Sequence, residues 1–366
     1  MESFNFAFRI ATEFQLLLMI LVLYKHRSTT PGNWLMTAYL LGLMCYIVDQ
    51  PILDLTIRDE LTIFTCLVAA GAIAVPCLFW LLALALFRDG FRLRYYHLLI
   101  LVLSQAITWG DSISSIRHYY MQAGEQIDLM MMLFSRMQLA LFAVLGFLVS
   151  IRDWRTDLVE SRRRFRTMFI GVVGVYIVIL EGATIFLDLA DATPSIELSL
   201  QTMNFLLICM LILVFNVWIF RLGKDVLPEQ LTGENTPSAL IDAATTTRLD
   251  ELRHLMESKR LFEQEGLTIG NLADTLRLPE YKLRVLINRE LGYRNFNDFL
   301  NNYRIQASAE DLRNPEKRHL PVLTIAMNNG YRSLAPFNKA FKATFNQTPT
   351  QYRKQNLNSS ISTNAD

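Results

Sequence analysis

Charge is scarce in this chain. Asp, Glu, Lys and Arg make up 19% of its 366 residues, apolar residues make up 52%, and the formal net charge is +1. So apolar a composition is unusual for a soluble protein, although the length suffices for two or three domains. Cysteine is nearly absent. The four present (Cys45, Cys66, Cys77, Cys209) each lie in an apolar run, which favours free buried thiols over disulfides or metal ligation. No HExxH or GxSxG motif occurs, and no residue pattern makes a zinc site. The five histidines (His26, His97, His118, His254, His319) read as loop or soluble-part residues. The expectation is a non-enzyme with no catalytic residue, no metal and no cofactor. A Schiff-base light sensor is also excluded, because the seventh apolar run holds no Lys.

What the chain has in abundance is long apolar segments. Seven of about spanning length follow one another near Phe4–Tyr24, Trp34–Leu53, Leu61–Phe87, Tyr95–Ile113, Leu129–Ile151, Thr167–Leu189 and Leu198–Phe220. The first has Glu2 in place of a basic n-region and no small-residue cleavage site, so it reads as a retained span. Gly71 and Pro76 predict a kink in the third. Basic residues follow the odd-numbered runs: Lys25 and Arg27; Arg88, Arg92 and Arg94; Arg152 to Arg166; Arg221 and Lys224. The other connections are acidic or neutral, with Asp54, Asp59, Glu60, Glu125, Asp128, Asp191 and Glu197. This alternation predicts an outside amino terminus and a cytoplasmic carboxyl terminus.

Two polar features interrupt that pattern. Glu13, Gln105, Arg136, Glu181 and Asn204 all fall roughly 10 Å below the external side, counting helical rise. They form either a structural ion-pair layer or a ligand- or proton-sensing site. The loop Arg152–Arg166 carries Trp154, Leu158 and Phe165 among its arginines. It reads as a topogenic, headgroup-facing loop, or else as a lever that touches a cytoplasmic domain.

The last third of the chain contains one helical unit written twice. Ile269, Leu272, Ala273, Leu278, Leu283, Leu286 and Ile287 recur as Val322, Ile325, Ala326, Tyr331, Phe337, Ala340 and Phe341, with one extra residue in the second turn. Each copy predicts a short helix, a tight turn and a second amphipathic helix, the pattern of a helix-turn-helix. Burying the apolar stripe leaves Glu280, Tyr281, Arg284 and Asn288 outward in the first copy. In the second copy it leaves Ala335, Asn338, Lys339 and Lys342 outward, with Ser333 as N-cap and Pro336 in the first turn. Arg can pair with guanine and Asn with adenine, while Lys and Tyr can hold phosphates or bases. Asn295–Leu312 reads as a long connecting helix. Lys and Arg outnumber Asp and Glu about two to one between Leu267 and Lys354, a basic balance suited to nucleic acid.

The runs GLTIGNLADTLRLPEYKLRVLINRELG and PVLTIAMNNGYRSLAPFNKAFKATFNQTPTQYRK resemble the paired helix-turn-helix domain of AraC-type transcription regulators. The likeness covers roughly Arg248 to Lys354, and its TPTQYR ending is specific to that family. The resemblance implies that Tyr281 and Arg284 are recognition positions in the first unit, and Ala335, Asn338 and Lys339 in the second. Pro279 stands where a Ser cap is common and Val285 where Arg is frequent, so the first helix is expected to make fewer base contacts.

The chain as a whole is therefore expected to be all-α. Residues 1–224 form a seven-span transmembrane bundle, 225–247 a linker, 248–354 the paired helix-turn-helix domain and 355–366 a disordered tail. The linker would reach about 25 Å as a flexible coil, and Arg248–Glu265 reads as a packing helix. The expected function is membrane-embedded, sequence-specific transcription regulation. Its expected partners are duplex promoter DNA, the lipid bilayer, RNA polymerase, a second copy of the chain and a small-molecule signal. The competing reading is a seven-span receptor or transporter with a protein-binding tail.

Overall fold

The computed structural model describes residues 2–25, 30–56, 63–121, 125–169, 176, 194–222 and 243–362. The chain divides into two compact units: Met1–Trp154 with Ser161–Thr236, and Arg155–Glu160 with Pro237–Asp366. All the regular elements described are helical, as expected.

In the first unit, helices α1 (Glu2–Lys25), α2 (Pro31–Thr56), α3 (Ile63–Phe87), α4 (Tyr95–Met121), α5 (Glu125–Ile151), α6 (Glu160–Phe169) and α7 (Pro194–Leu222) are described. Four carry an apolar stretch long enough to cross a membrane: Ser3–Lys25, Pro31–Val48, Ile63–Phe87 and Leu198–Val217. Tyr95–Trp109 and Met137–Ile151 are shorter apolar helices. The sixth expected span begins in α6, and beyond Phe169 it lies outside the described residues save Tyr176. Helix α3 is central, packing against α2, α4 and α5, while α1 packs against α7 and α2. Its stretch Leu81–Phe87 is buried all round. Pro76 stands inside a continuous helix. Gly71 does its work elsewhere: a Cβ there would lie 2.5 Å from the Cys45 sulfur, so the missing side chain lets α2 and α3 close up. Large apolar side chains such as Phe4, Phe14, Leu67, Val102 and Met137 are exposed. None of the four cysteines is in a disulfide; two are buried and two half-buried.

Two expectations for the first unit change. Arg162 and Arg166 are not headgroup-facing but buried: Arg162 pairs with Asp89 at 2.5 Å. Arg166 donates to the carbonyls of Arg152 (2.8 Å) and Phe87 (3.1 Å) and lies over the Phe87 ring. A guanidinium can be buried when carbonyls and a carboxylate satisfy its fixed fork of donors. His97 is not a loop residue either. It is buried near the start of α4 and accepts the backbone N–H of Arg94 at 3.0 Å, closing the helix start.

The second unit begins with α8 (Ala243–Arg253), which starts inside the expected linker. The rest of that linker lies outside the described residues. The expected packing helix is broken after a π turn at His254–Ser258, where Arg260 adopts φ +48 and pairs with Glu263 at 2.6 Å. Leu252, Leu255, Met256 and Phe262 nonetheless enter the core. Then follow α9 (Ile269–Thr275), α10 (Glu280–Leu291), α11 (Phe296–Arg313), α12 (Val322–Asn328), α13 (Leu334–Phe345) and α14 (Pro349–Ser362). Asn295 caps α11 by accepting the Asn297 N–H at 2.8 Å. Where a disordered tail is expected after Lys354, α14 continues to Ser362.

Candidate nucleic-acid interface

Two helix pairs are built on α11. In the first, Thr268 and Asn271 form a reciprocal capping box that starts α9. Leu278 N–H returns to the Ala273 carbonyl at 2.9 Å and Arg277 takes φ +52, which makes the tight turn into α10. Ile269, Leu272, Ala273, Leu283, Leu286 and Ile287 are buried together with Phe296, Phe299 and Leu300 of α11. The second pair repeats this. Tyr331 N–H returns to the Ala326 carbonyl at 3.0 Å, and Gly330 takes φ +82. Ile325, Ala326, Phe337 and Phe341 pack with Ile305, Ala309 and Leu312 at the other end of α11. Ala340, expected in this core, is partly buried at its edge.

Hydrogen bonds lock both pairs to the connecting helix. Arg304 of α11 donates to the carbonyls of Phe262 (2.8 Å) and Gln264 (3.0 Å), and its guanidinium lies 5.7 Å from the Tyr331 ring centre. Burial lowers the Arg304 pKa and raises that of Tyr331. The Tyr331 phenol therefore stays protonated and donates to Asn301 at 2.9 Å. Asn329 donates to Asp311 at 3.0 Å. Arg353 of α14 donates to the Leu320 carbonyl at 2.8 Å, which ties the end of the domain to the start of the second pair.

The second helix-turn-helix presents its outward residues as their spacing predicts. Ser333, Ala335, Asn338, Lys339 and Lys342 are all exposed, with Phe337 and Phe341 fully buried beneath them. Ser333 occupies the N-cap in extended conformation, but its side chain makes no cap bond. Pro336 falls in the first turn, where no helical carbonyl awaits its N–H. One face of α13 thus offers an amide, two ammonium groups and a hydroxyl, the chemistry that reads base edges and phosphates.

The first helix-turn-helix differs from its expectation. Tyr281 is 55% exposed and Glu280 is exposed, but Asn288 is half-buried and donates to the Tyr293 carbonyl at 2.9 Å. Arg284, expected outward, is only 2% exposed. Its guanidinium donates to the backbone carbonyls of Asp157 (2.7 Å) and Arg155 (3.1 Å) and pairs with Glu280. The cover comes from Arg155–Glu160, a stretch remote in sequence. Exposed basic groups on α10 are instead Lys282 and Arg289, which the spacing argument passed over.

Of the polar layer expected in the first unit, Gln105 donates to the Ala70 carbonyl at 3.1 Å and Asn204 accepts from the Tyr176 hydroxyl at 3.3 Å. These bonds run to different partners. Glu13 lies one turn from Arg9, whose guanidinium donates to the Ile47 carbonyl and sits 4.9 Å from the centre of the Phe205 ring. Glu181 and the Arg136 side chain lie outside the described residues. Sequence reasoning missed Arg9, a cation inside an apolar run four residues before Glu13. It also missed Gln138, which joins α5 to α4 through the Ser104 carbonyl (3.1 Å) and the Thr108 hydroxyl (2.6 Å).

Comparison with known proteins agrees with the geometry of the second unit. A family model described as a helix-turn-helix domain matches residues 272–355. Uncharacterized HTH-type transcriptional regulators of Staphylococcus aureus strains COL and MSSA476 are each 31% identical over 104 residues, covering 28% of this chain. The match spans only 13% of those relatives' length. A solved structure of a protein of unknown function from Listeria innocua is 28% identical, covering 29% of this chain and 93% of that one, with a TM-score of 0.25. The carboxyl-terminal part of this chain is thus a helix-turn-helix domain homologous to those of HTH-type transcriptional regulators.

Proposed function

We propose that this chain is a transcription regulator held in a bacterial inner membrane. Its first unit would cross the bilayer with the amino terminus outside, and its second unit would bind promoter DNA from the cytoplasm. The observation that carries the reading is the face of α13, where Ser333, Ala335, Asn338, Lys339 and Lys342 stand exposed over buried Phe337 and Phe341. A second helix-turn-helix at the other end of α11 suits adjacent major grooves on one side of the duplex, about 34 Å apart. The apolar helices and the outward apolar side chains of the first unit support a lipid environment. A second copy of the chain and RNA polymerase are its expected protein partners, and a small molecule its signal. Glu13, Gln105, Arg136, Glu181 and Asn204 are the layer where that signal would act.

The test uses the full chain in lipid nanodiscs and a duplex selected by that chain from a random pool. Binding should weaken steeply with salt, because phosphate contacts release counterions. Asn338→Ala should weaken the selected site by about 5- to 100-fold, the range for one bidentate base contact. Lys339→Ala should weaken all sequences alike and reduce the salt slope by about 1. Unchanged affinity in the Asn338→Ala, Lys339→Ala double variant would refute the interface. Protease protection of a carboxyl-terminal tag in spheroplasts would support the orientation, and cleavage of that tag from outside would refute it.

A further inference from the structure

Between α5 and α6 the chain joins the second unit for the stretch Arg155–Glu160, then returns to the first. Within the second unit this stretch, a turn at Arg155 and Thr156 followed by a single bridge at Asp157, lies as a strap against the turn that follows α10. Leu158 N–H donates to the Arg294 carbonyl at 3.0 Å, and Phe296 N–H donates to the Thr156 carbonyl at 2.8 Å. Asp157 and Asn295 face each other across an antiparallel bridge. The Asn295 amide also donates to the Thr156 hydroxyl at 3.2 Å. Leu158 is 1% exposed and belongs to the same apolar core as Leu283, Ile287 and Phe296. The strap's carbonyls at Arg155 and Asp157 hold the Arg284 guanidinium.

We infer that Arg155–Glu160 is an autoinhibitory strap that masks Arg284 of the first recognition helix, and that its release hands this guanidinium to DNA. The inference rests on the proposed DNA-binding function and names how it is regulated. Arg284 is the one Arg on the predicted reading face of α10. While the strap is docked, the donors that would grip guanine are spent on two backbone carbonyls and on Glu280. The docked protein reads DNA through α13 and the exposed Tyr281, Lys282 and Arg289 of α10, without Arg284. When the strap leaves, those carbonyls hydrate and the guanidinium swings outward with only Glu280 beside it. The strap is continuous with α5 on one side and α6 on the other, and α6 is anchored in the first unit by Arg162 on Asp89 and by Arg166 on the Phe87 and Arg152 carbonyls. Any rearrangement of those helix ends is transmitted along the backbone to the strap. A signal needs only to favour the helix arrangement that cannot keep the strap docked.

A reversible lock tests this on the full chain in nanodiscs. The two hydrogen bonds flanking Asp157 and Asn295 mark them as a non-hydrogen-bonded antiparallel pair, with Cα atoms about 4.5 Å apart. That separation suits a disulfide. Asp157→Cys with Asn295→Cys should cross-link on mild oxidation, and neither single variant should. The oxidised protein should bind the selected duplex more weakly than the same protein after reduction, by about 5-fold or more for the lost guanidinium contact. Leu158→Asp, which expels the strap without touching the reading face, should bind more tightly than the natural chain. Adding Arg284→Ala should remove that gain. Failure of the pair to cross-link would overturn the docked strap. A cross-link that leaves affinity unchanged, or a Leu158→Asp gain that survives Arg284→Ala, would overturn the masking. Loss of all salt-dependent DNA binding in every form would instead overturn the DNA-binding function itself.

Discussion

Replacing Arg304 by Met should loosen the joint between the two helix-turn-helix units without emptying the space the side chain fills. Met keeps an apolar stem and removes only the guanidinium. Two hydrogen bonds go, to Phe262 and Gln264, together with the contact on the Tyr331 ring. The Gln264 residue is exposed, so its carbonyl recovers water and costs little. Phe262 is buried, and its carbonyl loses a charged donor, worth about 1.5–3 kcal/mol. The cation–π contact adds about 0.5–1 kcal/mol. A loss of about 2–4 kcal/mol speeds exchange through local opening by roughly 30- to 800-fold. The amides to read are Gln264, bonded to the Leu261 carbonyl at 3.1 Å, and Tyr331, bonded to the Ala326 carbonyl at 3.0 Å. Hydrogen exchange with mass spectrometry on the full chain in nanodiscs resolves them, with α3 amides as the internal control. Arg304→Lys should fall between, since one ammonium reaches one carbonyl. Equal protection at Gln264 and Tyr331 in the natural and Met forms would refute the assignment of Arg304 as the tie.

Three further outcomes follow from the same packing. Gly330→Ala should open the same joint by at least about 1–2 kcal/mol, because a side chain at φ +82 is disfavoured and its Cβ would lie 2.6 Å from the Phe262 carbonyl oxygen; normal exchange at Tyr331 would contradict this. Phe341→Ala should cost about 3–5 kcal/mol by emptying a site ringed by Phe337, Phe345 and Tyr352, whereas Lys342→Ala next to it should change stability by less than about 0.5 kcal/mol and still lower DNA affinity. Asp89→Asn should shorten the thermal half-life of the detergent-solubilised protein by withdrawing the carboxylate from buried Arg162. Asp89 is 42% exposed, so solvent screens the pair and the cost is about 1–2 kcal/mol, below that of a fully buried pair. Arg162→Met combined with Asp89→Asn should restore much of it, and no recovery would show that Arg162 is held mainly by other groups.

Local pattern fixed a great deal of this architecture. The stripes Ile269–Leu272–Ala273 and Ile325–Ala326 gave both short helices because their spacing, set by helix geometry, brings them onto one side. The connecting helix was legible to within a residue, since Asn295 is a strong cap and the apolar spacing that follows is helical. The outward set on α13 was legible for the same reason: with Phe337 and Phe341 inward, Asn338, Lys339 and Lys342 have nowhere else to point. What local pattern missed were places where one residue answers to a distant one. The break at Arg260 depends on a left-handed turn that helical periodicity does not register. The buried arginines Arg162 and Arg166 read as surface charge until Asp89 and the Phe87 carbonyl come beside them.

Arg284 is the sharpest case, because the helical-face argument was right about its direction and wrong about what lies there. On an isolated α10 it shares a side with Glu280 and Tyr281, and Tyr281 is indeed exposed. A stretch 127 residues earlier in the chain covers that side next to Arg284 and leaves Tyr281 uncovered. Apolar periodicity records only what a segment buries, so it carries no trace of a polar strap that buries a polar residue. The trace lay in the strap itself, where Leu158 sits among Asp157, Arg155 and Glu160 with no helical or strand partner nearby in sequence. An apolar pair in a charged loop, here Leu158–Val159, gains little from water, and Leu158 is 1% exposed inside a core built from the other end of the chain. Such a pair, met in a loop between apolar runs, is a reason to look for the surface that receives it.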